Sequence, residues 1–194
     1  MAATKRTHVA LLRGVNVGGR NKVSMAVLRD VVESLGHKEV LTYLPSGNVV
    51  FAAHQRDADS ATIARSLEAL IAERTGVSPA VIVLRAAELA RVVRDNPFPD
   101  VDDHRLLHAV FLSQPPGDAG VASVAAAVAR AREKGCRDDA RVVGRTLYLW
   151  TRDGFARSVL RIELDRGAAN RTPMQQGTAR NWATVTTLAG LVGP

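Results

Sequence analysis

Between His8 and Arg85 the sequence runs through six segments of alternating periodicity, and this alternation constrains the fold more than any other feature. Val9-Ala10-Leu11-Leu12 is a continuous apolar run, read as a short buried strand over His8 to Arg13 and closed by Gly14. Met25, Leu28, Val31, Val32 and Leu35 then recur at helical spacing, with Ser24 placed to cap the helix and Gly36 to stop it. Val40 to Leu44 and Asn48 to Ala53 are rich in β-branched and aromatic residues and flank Pro45-Ser46-Gly47, the pattern of a hairpin. Ile63, Leu67, Leu70 and Ile71 mark a second helix ending at Gly76, and Ala80 to Leu84 is another apolar strand. The order β-α-β-β-α-β within about 80 residues is that of a split βαβ, or ferredoxin-like, sandwich.

The second half echoes the first without an evident sequence repeat. A helix striped by Leu89, Val92 and Val93 is halted by Asn96-Pro97-Phe98-Pro99, because two prolines around an aromatic favour extended backbone. Leu106 to Leu112 reads as a strand, Val121 to Arg132 as a helix, and Ala140 to Val143 with Thr146 to Trp150 as a hairpin about Gly144-Arg145. Arg157 to Asp165 reads as a helix and Ala168 to Gly177 as a polar loop. Trp182, Val185, Leu188 and Val192 stripe a terminal helix capped by Thr178. The expected fold class is therefore α+β, with two small ferredoxin-like subdomains, each an antiparallel sheet carrying helices on one face. The expected division is residues 1–85, a connecting helix and linker over 86–104, and residues 105–194.

Charge is uneven along the chain. Residues 1–38 carry seven Lys or Arg against two acids, residues 39–140 eleven against fourteen, and residues 141–194 eight against three. Gly14-Val15-Asn16-Val17-Gly18-Gly19-Arg20-Asn21-Lys22 lies between a strand and a helix, where backbone N–H groups can form an anion-binding nest. It matches neither the phosphate-loop pattern nor the dinucleotide GxGxxG spacing. Arg20 and Lys22 precede the first helix, Arg157 opens a later one, and Arg180 falls in the first turn of the last. Cations at helix starts oppose the helix dipole unless an anion binds there.

Other chemistries find little support. No apolar run approaches the roughly 20 residues of a membrane span, and Met1 to Arg6 leads into a strand-like run rather than a signal-peptide core. The single Cys136 suggests a reducing cytoplasmic setting. His104 and His108, expected on one strand face, lack the convergent ligands of a metal site. Ser46 lacks the Gly-x-Ser-x-Gly elbow, and Asp100 to Asp103 lacks the glycine and terminal glutamate of a calcium loop. Phe51 alone does not make an RNA-stacking platform.

Five blocks carry a family resemblance: Ala10 to Lys22, Thr42-Tyr-Leu-Pro-Ser-Gly-Asn-Val-Val-Phe51, Asn96 to Pro99, Val142-Val-Gly-Arg-Thr-Leu-Tyr148 and Thr178-Ala-Arg-Asn-Trp-Ala-Thr184. In this order they resemble the bacterial "domain of unknown function 1697" family, with Pro45 standing where that family commonly has Gln. The resemblance implies two ferredoxin-like halves and no established activity, and the cofactor is left unknown. In that frame Arg13, Asn16, Gly18, Gly19, Arg20, Asn21 and Lys22 are expected to meet Arg180 and Asn181 in one basic cleft between the subdomains. Trp182 would form its apolar wall and Arg157 an additional cation. The expected function is binding of a phosphate-bearing ligand, either a nucleotide-like small molecule or nucleic acid. The alternatives are an enzyme acting on a phosphorylated substrate and a protein-interaction module. The first alternative meets an obstacle, because no His, Asp or Glu lies between Val9 and Arg29 to act as a general base. The expected state is a monomer or homodimer with no membrane partner.

Overall fold

Two antiparallel four-stranded sheets of identical topology organise the chain. The computed structural model describes residues 5–54, 59–166 and 172–193. The expectations made for the first four residues, and for residues 168–171 of the polar loop, lie outside these. Two compact units emerge, one within Met1–Arg91 and Thr187–Pro194, the other within Val92–Thr186.

In the first unit, strands β1 (His8–Leu12), β2 (Lys38–Tyr43), β3 (Asn48–Ala52) and β4 (Val81–Arg85) lie in the order β2-β3-β1-β4. Ala10 stands opposite both Val49 and Val83, and His8 opposite both Phe51 and Arg85, so alternate residues of β1 share a face with their neighbours. Ala10, Leu12, Val49, Phe51, Val81 and Val83 form the sheet side of the core. Helices α1 (Met25–Ser34) and α2 (Ser60–Thr75) close over it with Leu28, Val31 and Val32 and with Ile63, Leu67 and Ile71. Each such aliphatic side chain, fully buried, contributes about 1.5–3 kcal/mol. As expected, Ser24 caps α1, its Oγ accepting from the Val27 N–H at 3.1 Å. Asp59 does the same for α2, accepting from the Thr62 N–H at 3.0 Å.

The second unit repeats the plan with β5 (Leu107–Phe111), β6 (Asp139–Val143), β7 (Thr146–Trp150) and β8 (Thr178–Asn181) in the order β6-β7-β5-β8. Helix α3 (Ala86–Arg94) leads into it. Helices α4 (Asp118–Glu133) and α5 (Val159–Asp165) pack on Val110, Leu147 and Leu149, while α6 (Pro173–Gln176) precedes β8. Phe98 of the Asn-Pro-Phe-Pro segment is buried, its ring 5.9 Å from that of Trp150.

Four local expectations are corrected. Thr178 to Asn181 is a strand and not the start of the last helix, because it satisfies the free edge of β5 with Ala109 opposite Arg180 and His108 opposite Asn181. The last helix, α7 (Trp182–Leu191), is capped by Asn181, whose Oδ1 accepts from the Thr184 N–H at 2.9 Å, so Thr178 is not its cap. Arg157 does not open a helix either. It ends a 3₁₀ turn over Phe155–Arg157, and α5 begins after Ser158. The Ser158 hydroxyl accepts from the Arg161 N–H and donates to the buried Asp138 carboxylate at 2.6 Å, which fixes the helix start there. His104 lies in the turn before β5, whereas His108 is on the strand.

Candidate functional site: the loop between the first strand and helix

The Gly-rich loop folds as a miniature hairpin. Val17 and Arg20 form an antiparallel bridge, with the Arg20 N–H donating to the Val17 carbonyl at 3.0 Å. Gly18 and Gly19 sit between them at φ 57° and 77°, a left-handed pair that forms the tight two-residue turn twisted to suit a β-ribbon. The ribbon continues with the Asn16 N–H donating to the Asn21 carbonyl at 3.1 Å.

Asn16 ties this hairpin to the rest of the unit. Its Nδ2 donates to the carbonyls of Val23 at 2.8 Å and Pro45 at 2.7 Å, and its Oδ1 accepts from the Val23 N–H at 3.0 Å. Asn21 Nδ2 donates to the Gly14 carbonyl at 3.0 Å. Both residues hold left-handed backbone, φ 56° and 49°, which asparagine tolerates better than most residues. Their amides therefore hold the loop in shape, and that of Asn16 also fastens it to the β2–β3 turn. Replacing Asn16 with alanine is expected to cost about 2 kcal/mol through lost hydrogen bonds and strained backbone. Asn16→Gly should recover the conformational part alone. Urea midpoints of the two variants against the parent check this.

What the loop presents outward is cationic. Arg20 and Lys22 are exposed and Arg13 is half-buried. Among the described residues none of the three makes an ion pair, and no acid occurs between Val9 and Arg29. Beside the loop opens a cavity of about 460 Å³. Val23, Met25 and Pro45 give it an apolar wall, Lys22 and Gly19 lie at the loop side, and Asn16 and the α1 cap Ser24 complete it. Val17, next to the glycine pair of the hairpin, and Leu44, which opens the β2–β3 turn, are 66% and 48% exposed.

The remaining candidate residues lie in the second unit. Arg180 is only 7% exposed. Its Nη1 donates to Thr178 Oγ1 and to the Ala179 carbonyl, each at 2.8 Å. The register places it in one row with Ala109 and Tyr148, on the sheet face away from Val110 and the α4–α5 core. Burial pushes its guanidinium down to about 10, which still leaves it charged at neutral pH. Asn181 is occupied as the cap of α7. Trp182 is buried with its ring 6.1 Å from that of Tyr148, whose hydroxyl donates to the Val92 carbonyl at 2.8 Å. Arg157 is exposed and makes no ion pair among the described residues.

Sequence reading missed the part played by Pro45 and Gly47. Pro45 supplies a carbonyl to Asn16 and a wall to the cavity, and Gly47 accepts the Leu12 N–H at 2.8 Å. The only sequence signal was that both turns fall within blocks shared with one family. Among the described residues no group of three or more His, Cys, Asp or Glu is placed to hold a metal ion, and no helix is long and apolar enough to cross a membrane.

Comparison with known proteins bears on the family and the fold. A family described as "Protein of unknown function (DUF1697)" matches residues 6–148. No curated protein matches the chain. A solved structure, that of the conserved bacterial protein SP0830 from Streptococcus pneumoniae, is 20% identical in sequence and aligns with a TM-score of 0.73. The match covers 97% of this chain and 99% of that one, a likeness of fold.

Proposed function

The chain belongs to the DUF1697 family of proteins of unknown function, and we propose that its β1–α1 loop binds a small ligand bearing a phosphate or an equivalent anion. The observation that carries this reading is a set of cations without acidic partners, on a hairpin held rigid by Asn16 and Asn21, beside a cavity of about 460 Å³. A fixed loop loses little conformational freedom when it engages an anion. An ammonium and a guanidinium without local counter-ions gain from one. The volume is that of a small-molecule site. A chain with one cysteine suits the reducing cytoplasm, where we propose that it acts.

A thermal-shift series of nucleotides, phosphosugars and short oligonucleotides tests the reading. Bound ligand at about 100 times its dissociation constant should stabilise the protein by about 2.7 kcal/mol. Lys22→Ala and Arg20→Ala should each weaken binding about tenfold, the worth of one charge-assisted contact. A shift undiminished by either substitution would locate the ligand elsewhere. Oligonucleotide binding that falls steeply with salt would identify nucleic acid as the partner.

The exposure of Val17 and Leu44 favours one other reading, a protein-interaction surface at the same end of the unit. Association that is lost in a Val17→Ser variant, with no response to phosphate compounds, would decide for it.

A further inference from the structure

The polar capacity left in the cavity narrows the ligand class. Asn16 spends both amide protons and one oxygen lone pair on Val23 and on the Pro45 carbonyl of the β2–β3 turn, so its side chain offers a ligand one remaining acceptor site. The Ser24 hydroxyl accepts from the Val27 N–H and keeps its proton to donate. Lys22 offers three N–H donors, and the Gly19 N–H makes no hydrogen bond among the described residues. The side chains here are thus rich in donors and poor in acceptors. Such a surface suits an anion and leaves the hydroxyls of a sugar unmatched, at the cost of desolvating them. The side chains of Val23, Met25 and Pro45, which also line the cavity, offer only apolar contact, and methionine against an aromatic ring is favourable. With no carboxylate between Val9 and Arg29, the loop has no side chain to hold the divalent cation that accompanies a triphosphate.

Resting on the reading that this loop binds a phosphate-bearing ligand, we propose that the ligand is a phosphomonoester of a flat apolar body. Its phosphate meets Lys22 and the Ser24 hydroxyl, and its body lies against Met25 and Pro45. Phenyl phosphate is a minimal probe of that chemistry.

Calorimetric titration of the full chain at low ionic strength compares phenyl phosphate, inorganic phosphate and glucose 6-phosphate, with Arg29→Ala as a control that removes an equal charge outside the cavity. Phenyl phosphate should bind about tenfold tighter than either of the others, the return expected from covering one ring face. Met25→Ser and Pro45→Ser should each reduce that advantage, read as the ratio of the phenyl phosphate to the inorganic phosphate affinity within the same variant, so a folding defect in one variant leaves the other to report. Arg29→Ala should leave all three affinities within about twofold of the parent. Equal affinity for all three anions, or tighter binding of glucose 6-phosphate, overturns the flat apolar body and leaves the anion site standing. Binding of none of them overturns both.

Discussion

Replacing Gly47 with alanine should destabilise the first unit by about 3 kcal/mol, combining left-handed backbone strain with overpacking. Gly47 sits at φ 78° in the β2–β3 turn. A Cβ there would stand 2.6 Å from Val15 Cγ2 and 2.8 Å from Leu12 Cβ. Neither neighbour can yield easily. Leu12 is fully buried in β1 opposite Val81, and Val15 is buried at the root of the hairpin. The urea midpoint, followed by far-ultraviolet circular dichroism, should fall by about 1–2 M with little change in slope. Gly144→Ala is the informative contrast. Gly144 has φ 57° but open space where a Cβ would go, so it should cost about 1 kcal/mol, the conformational part only. Equal losses for the two would mean that the β2–β3 turn does not press on the hairpin root. Because Asn16 bonds to the Pro45 carbonyl in that same turn, Gly47→Ala should also weaken anion binding, an effect Gly144→Ala should lack.

The second large effect is in the pH dependence of stability and comes from His108. Its ring stacks on Phe155 with centroids 4.3 Å apart, and its Nδ1 has no hydrogen-bond partner among the described residues. Burial pushes the imidazole down from 6.5 to about 4. In the unfolded chain His108 takes up a proton as the pH falls below its ordinary value, whereas in the folded chain it resists until about 4. Stability therefore drops as the pH falls through that interval and is flat with respect to this group above it. At 1.36 kcal/mol per unit, the contribution lost is about 3 kcal/mol. His8 acts in the same sense, lowered first by burial and then by the charge of Arg85. His108→Phe retains an aromatic ring to stack on Phe155 and removes the titration. Between about pH 7 and about pH 4 the variant should gain on the parent by roughly 3 kcal/mol. Parallel stability curves would show that His108 is protonated in the folded protein as readily as in the unfolded one.

The element order of the first unit was legible because each segment changes periodicity at a turn residue, as at Gly14, Ser24 and Pro45-Ser46-Gly47. The glycine pair at the hairpin tip was legible for a similar reason, since only backbone freedom explains two adjacent glycines in an otherwise ordered block. What escaped depends on tertiary context. Strand β8 is four residues long and carries a charged side chain at a buried position, so no local pattern marks it, and the open edge of β5 decides its form. Arg180 looked like a cation at a helix start and is instead a buried member of a sheet row. Asn16 looked like a ligand contact, yet one of its partners, the Pro45 carbonyl, lies 29 residues away and no spacing rule connects them. Asn181 gave no sign that it, rather than Thr178, would cap α7.

A backbone amide NMR titration of the full chain with inorganic phosphate at low ionic strength bears most directly on the claim that the β1–α1 loop is an anion site. Saturable shifts centred on Gly18, Gly19, Lys22, Ser24 and Met25, needing about tenfold more phosphate to saturate in Lys22→Ala, are the expected result. Shifts centred on Arg157 or on Arg180 to Trp182 with the loop unmoved, or no saturable shift anywhere, would contradict it.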